Sequence, residues 1–110
     1  VSTDRELMAL AAKAAGKTRA EWDYDWLMSR GEEIARDMLW SPLQNSGQAL
    51  DLAVRLHLLI DVDETNVMVL TEGPGEEGII NETTDGALDP CAATRRAIVR
   101  ASAEIGRGMP

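Results

Sequence analysis

The sequence predicts an α+β fold: a small antiparallel sheet packed against about three helices. Three observations predict it. Two segments near the ends and one in the middle repeat apolar residues at helical spacing between good caps. Three short apolar runs between Leu58 and Thr83 are joined by turn residues. Strands that follow one another through short turns pair antiparallel.

Thr3 to Gly16 reads as the first helix. Thr3 and Glu6 have capping-box spacing, Leu7, Leu10, Ala11 and Ala14 form one face with Met8 beside it, and Gly16 stops it. In Trp22-Asp23-Tyr24-Asp25-Trp26 the aromatics alternate with acids, and Met28 continues the alternation. On a strand this places three rings on one side and two carboxylates on the other. Ser29-Arg30-Gly31 looks like a turn, and Ile34, Met38 and Trp40 fit a returning strand, although Ile34, Ala35, Met38 and Leu39 also fit a helix face. The expectation for residues 18–40 is a hairpin.

Pro42 biases Ser41 away from helix, so Trp40-Ser41-Pro42-Leu43 is an extended corner. Asn45 or Ser46 then caps a helix over Gly47 to His57, with Ala49, Leu50, Ala53, Val54 and Leu56 as its apolar set. Strands follow at Leu58–Val62, Asn66–Glu72 and Gly78–Thr83, with turns at Asp63-Glu64-Thr65 and Gly73-Pro74-Gly75. Asp85-Gly86 closes the last strand.

The clearest element is Asp89 to Gly106. Asp89 is an N-cap, Pro90 takes the first helical position, and Thr94, Ala97, Ile98, Ala101 and Ile105 make an apolar face. Arg96, Arg100 and Glu104 share another face, where an Arg100–Glu104 pair contributes about 0.3 kcal/mol. Gly106 and Gly108 end the helix.

At 110 residues the chain is expected to be one domain, and 45% hydrophobic content is that of a globular protein. There is no Phe, and three Trp with one Tyr supply all the aromatics. The net charge is −8 and the isoelectric point near 4.5. Such a surface repels nucleic acid and anionic membranes and attracts basic partners. A single cysteine, Cys91, excludes an internal disulfide and a cysteine-based zinc site and fits a reducing cytoplasm. No apolar run approaches the ~20 residues of a membrane span, and the N-terminal Leu and Ala residues, broken by Lys13, do not make a signal peptide.

No motif dictates a chemistry, so we expect no enzyme activity and no cofactor. His57 is the lone histidine; beside Asp61 or Asp63 it offers acid–base chemistry, but a histidine at a helix end commonly serves the last carbonyls. Cys91 lies in a first helical turn, where the dipole favours thiolate; a small buried thiol is the commoner role. Asp61 to Glu72 has part of a calcium loop's carboxylate spacing, but Asn66 stands where that loop needs glycine. Gly73 to Gly78 lacks the lysine of a phosphate loop and carries Glu76 and Glu77, so it reads as a hairpin tip.

Two surfaces remain as candidate sites. Trp22, Asp23, Tyr24, Asp25 and Trp26 form an acidic-aromatic docking surface if a ring is exposed; otherwise the rings are core. Arg95, Arg96 and Arg100 form a strip for a small anionic ligand or nucleotide, or a solvated helix face that balances acidic neighbours. A homodimer, most often twofold, is a further way in which a small domain with exposed Trp or Met could gain stability.

Three stretches together carry a resemblance: ELMALAAKAAG (Glu6 to Gly16), WSPLQNSGQALDLAVRL (Trp40 to Leu56) and DPCAATRRAIVRASAEIG (Asp89 to Gly106). The combination resembles small hypothetical proteins of tailed phages and prophages, similar in layout to the NinX-like group. There the middle block reads W-N-P-L, an acidic linker, then A-L-x-L-A-V-x-L. This chain has Ser41 where asparagine is usual and Gln44-Asn45-Ser46 where acids are usual. The resemblance covers the helices and imports no site residue. The group has no established activity, so what it implies is an accessory product in the cytoplasm of an infected bacterium. Together with the acidic charge, the clustered Trp and Tyr and the lack of a catalytic constellation, this leads us to expect an interaction protein that binds a host or phage protein, such as a defence or nucleic-acid-binding protein.

Overall fold

The computed structural model describes residues 3–71, 79–83 and 89–109. The order is α1 (Asp4–Ala15), α2 (Arg19–Trp22), α3 (Tyr24–Ser29), a 3-10 turn (Arg36–Met38), α4 (Ser46–Arg55), β1 (Leu59–Val62), β2 (Asn66–Leu70), β3 (Ile79–Thr83) and α5 (Pro90–Arg107). This is the α+β fold that the sequence predicts. The sheet is antiparallel in the order β1-β2-β3, with Val69 opposite Ile60 on one side and Ile80 on the other.

The 18-residue α5 is the centre of the molecule. It lies between α1 and the sheet face that carries Val67, Val69 and Ile80, and α4 packs on it as well. An apolar stripe for one neighbour would not suffice for this position. Ala93, Ala97, Ile98, Val99, Ala101, Ser102, Ala103 and Gly106 are all buried, while Thr94 and Ile105 are only half-buried. Ser102, fully buried, satisfies its hydroxyl by donating to the Ile98 carbonyl at 2.8 Å. Two polar ties, Arg96 to Asp4 and Lys13 Nζ to the Met109 carbonyl, set α1 parallel to α5.

Gly106 does not end α5. It is the next-to-last residue of the helix, and a Cβ there would overlap the Leu10 carbonyl. Its role is close approach of α1; Gly108 supplies the cap. The Arg100–Glu104 pair is not formed either. Arg100 reaches the sheet instead, donating to Glu82 at 2.6 Å and to the Asn81 carbonyl at 3.0 Å, and Glu104 pairs with Arg107.

Three helices end in the same way. A left-handed residue stands at the C-cap or just past it, and two successive N–H groups fold back on the last-turn carbonyls. Gly16 does this for α1, with Lys17 N–H on the Ala12 carbonyl at 2.8 Å. Gly31 does it for α3, with Glu32 N–H on the Leu27 carbonyl at 3.2 Å. His57, at φ 55°, does it for α4, with its own N–H on Val54 and Leu58 N–H on Ala53.

Residues 18–40 are not a hairpin. They form α2, α3 and the 3-10 turn. Glu21 accepts from Thr18 N–H at the start of α2, and the Asp23 carboxylate accepts from Trp26 N–H at the start of α3. Asp23 is thus a hinge between two short helices, and the aromatic–acid alternation marks that hinge.

In α4 the buried side chains are Ala49, Leu52 and Ala53. Leu50 and Val54, expected in its core face, are 60% and 67% exposed. The helix is rotated to bury Leu52, and Asn45, not Ser46, is the cap, accepting from Gln48 N–H at 2.9 Å. The expected turns at Gly73-Pro74-Gly75 and Asp85-Gly86 lie outside the described residues.

Candidate functional site

The buried centre of the N-terminal half is Asp23, 2% exposed. Its carboxylate receives Arg5 in a two-pronged contact at 3.0 and 2.8 Å, Arg19 at 3.1 and 2.9 Å, and Trp26 N–H at 3.2 Å. Burial alone raises its pKa. The bonds from Arg19, Trp26 N–H and Arg5 outweigh that and hold Asp23 below the ordinary carboxylate value. A carboxylate this well partnered is a structural clamp joining α1, α2 and α3.

Around the clamp opens a groove of about 630 Å³ between the start of α1, α2–α3, the 3-10 turn and the N-terminus of α4. Four carboxylates line it, those of Asp4, Asp23, Asp25 and Asp37, against two guanidiniums, Arg5 and Arg36. Trp22, Tyr24 and Trp40 supply aromatic wall. The Arg36 guanidinium lies over the Tyr24 ring at 4.0 Å, so that ring face accepts a flat cation.

Four of the five residues expected on an acidic-aromatic surface therefore come together: Trp22, Asp23, Tyr24 and Asp25. Trp26 does not line the groove; it is held between Arg19 at 5.2 Å and Arg30 at 4.7 Å. The reason is the helix. Successive residues turn by about 100°, so Tyr24 and Trp26 point apart where a strand would align them. Trp40 is core, Trp22 packs against the core, and Tyr24 and Trp26 lie half-buried outside it. Asp37, Asp4 and Arg36 are groove residues that sequence reasoning missed. They lie on elements brought to Tyr24 only by folding.

The α5 arginines hold the fold together. Arg95 donates to the Leu43 carbonyl and to Ser46 Oγ, both at 3.0 Å, which fixes the corner before α4. Arg96 bridges Asp4 at 2.8 Å and Glu82 at 3.6 Å. Arg100 takes Glu82. The strip splits, with Arg95 facing one way and Arg96 and Arg100 meeting on Glu82.

Cys91 is exposed, not buried. It lies about 200° around α5 from the buried Ala93, on the side away from the core. His57 is exposed too, and its backbone, rather than its ring, closes α4. The Asp63 carboxylate accepts from Thr65 N–H, Asn66 N–H and the Thr65 hydroxyl; these bonds lower its pKa and make it the turn between β1 and β2. Residues 67–70, where a calcium loop would continue, are strand, and Glu72 and the Gly73–Gly78 tip lie outside the described residues.

Among the described residues no group of three or more His, Cys, Asp and Glu is placed to hold a metal, and no helix is long and apolar enough to cross a membrane. Comparison with family models, with curated proteins and with solved structures finds no match to this chain.

Proposed function

We propose that this chain is an interaction protein whose groove takes a basic segment of a partner protein, through its carboxylates and its aromatic wall. The observation that carries the reading is the groove's composition: the carboxylates of Asp4, Asp25 and Asp37 beside the clamp of Asp23, against two arginines, with Trp22, Tyr24 and Trp40 in its wall. Lysine and arginine side chains gain from both, by charge and by stacking on the rings. The chain's net charge of −8 steers such a partner in. A segment that ordinarily contacts nucleic acid has this chemistry. Blocking it suits the phage accessory product that the helical stretches resemble, acting in a bacterial host cell. No observation favours the α5 arginines as a second, anion-binding reading, since each already has intramolecular partners.

The test is titration with an arginine- and lysine-rich peptide, followed by NMR and tryptophan fluorescence. Shifts are expected at Trp22, Tyr24 and Asp25, with affinity falling as salt rises. The double variant Asp25→Asn/Asp37→Asn is expected to weaken binding by about tenfold, because each lost charge pair contributes up to ~1 kcal/mol. Peptide shifts that map elsewhere, or that survive the double substitution, overturn the reading.

A further inference from the structure

Trp22 and Asp23 are a wall shared by two hollows. Behind the acidic groove lies a second cleft of about 440 Å³, between α1 and the α1–α2 connection. Its electrostatics are the reverse of the groove's. Arg5, Lys13, Lys17 and Arg19 line it, against only Glu6 and Asp23, in a protein whose net charge is −8. Its apolar lining is Ala9, Ala12 and Trp22.

The positive charge there is only partly satisfied from within. Arg5 and Arg19 share the single Asp23 carboxylate. Asp25 approaches Arg5 at 3.5 Å from the groove side and lies outside the cleft. Lys13 donates to the Met109 carbonyl, a neutral acceptor. Lys17 is half-buried, its ammonium 6.0 Å from the Trp40 ring, and among the described residues it has no carboxylate partner. An ammonium in a cationic cleft without a carboxylate beside it favours an anion there.

We propose that this cleft binds a phosphate monoester carrying a flat ring. Cations exceed carboxylates by two among the lining residues, and a phosphate monoester brings about −1.5 to −2 charge at neutral pH together with three acceptor oxygens. Forked guanidiniums and mobile ammonium groups both suit those oxygens. The indole of Trp22 and the methyl group of Ala9 give the organic part an apolar surface, and the volume is that of a small-molecule site. This site is separate from the α5 arginines; it shares Arg5, Trp22 and Asp23 with the peptide groove, but Lys13, Lys17 and Arg19 line the cleft alone, so the lysine variants test it independently of the proposed function.

Calorimetric titration with adenosine monophosphate, adenosine, inorganic phosphate and benzoate tests it, with NMR to locate the shifts. Adenosine monophosphate is expected to bind at least about tenfold more tightly than any of the other three, since only it has both the charge and the ring. Lys17→Gln is expected to weaken it by about tenfold, and the surface variant Arg55→Gln to leave it unchanged. Lys13→Gln, at a second cleft cation, is a separate check should Lys17→Gln fold poorly. Shifts are expected at Trp22, Ala9 and Lys17. No binding of adenosine monophosphate at millimolar concentration overturns the proposal. So does equal affinity for benzoate, full affinity in both lysine variants, or shifts confined to α5.

Discussion

His57 and Gly16 occupy equivalent positions at the ends of α4 and α1, both in the left-handed region. Glycine is at home there. A residue with a Cβ is strained by roughly 1–2 kcal/mol, and histidine is one of the more tolerant side chains. The exposed His57 ring gives no sign of a contact that needs it. His57→Gly is therefore expected to raise stability by about 1 kcal/mol, read as a higher urea midpoint with an unchanged slope. Destabilisation would mean that the imidazole has a role which backbone geometry does not reveal. From sequence, the helix end at His57 was legible, but its cause was not: an αL residue shows itself by φ, and histidine is not a residue that announces it.

At the scale of elements, how much could be read depended on how local the determining interactions are. α1, α4, α5 and the three strands were legible because caps, spacing and turns lie within the element itself. Thr3, Asn45 and Asp89 all cap as expected. The segment 18–40 was not legible because its decisive residue, Asp23, is held by Arg5, 18 positions away. Aromatic–acid alternation is equally the mark of a strand and of a short helix capped by an acid. Leu52 and Leu50 could not be told apart either, since both fit a helical face and only packing on α5 selects one. Of the acidic groove, Trp22, Asp23, Tyr24 and Asp25 were visible as a cluster, but Asp4, Arg36 and Asp37 join it only through tertiary structure.

Gly106 makes the point for an interface between elements. In an isolated helix, Gly→Ala stabilises by roughly 0.5–1 kcal/mol. Here the new methyl group would meet the Leu10 backbone, which no side-chain rotation can relieve. Gly106→Ala is expected to destabilise by about 1–3 kcal/mol, the usual cost of overpacking, with α1 displaced from α5. Thermal unfolding checks it; Gly108→Ala, where the nearest atom is 3.6 Å from the new Cβ, is the control expected to change little. An unchanged or raised melting temperature in Gly106→Ala would show that α1 shifts without loss.

At the scale of the whole molecule, charge is segregated about one buried carboxylate. The acidic groove and the cationic cleft lie on either side of Asp23, which belongs to both linings. The same group fastens α1 to α2 and α3, so both hollows depend on its ionisation. Its folded pKa is depressed by Arg19, Trp26 N–H and Arg5 against the opposing effect of burial, relative to an ordinary value of 3.8. A depressed carboxylate stabilises the fold fully above its unfolded pKa. That contribution is lost as pH falls below 3.8 and through the folded value. Both arginines are about half exposed, which limits the magnitude. Asp23→Asn retains an acceptor for Trp26 N–H but loses the charge, and is expected to cost about 1–2 kcal/mol at neutral pH. The gap between wild type and Asp23→Asn should be constant from neutral pH down to about pH 5 and should close progressively below 3.8. Urea unfolding followed by tryptophan fluorescence reads it directly, since Trp22 and Trp26 flank the clamp. A gap that persists undiminished in acid would show that Asp23 stabilises by shape and hydrogen bonding alone. The division of charge between the two hollows would then be independent of its ionisation.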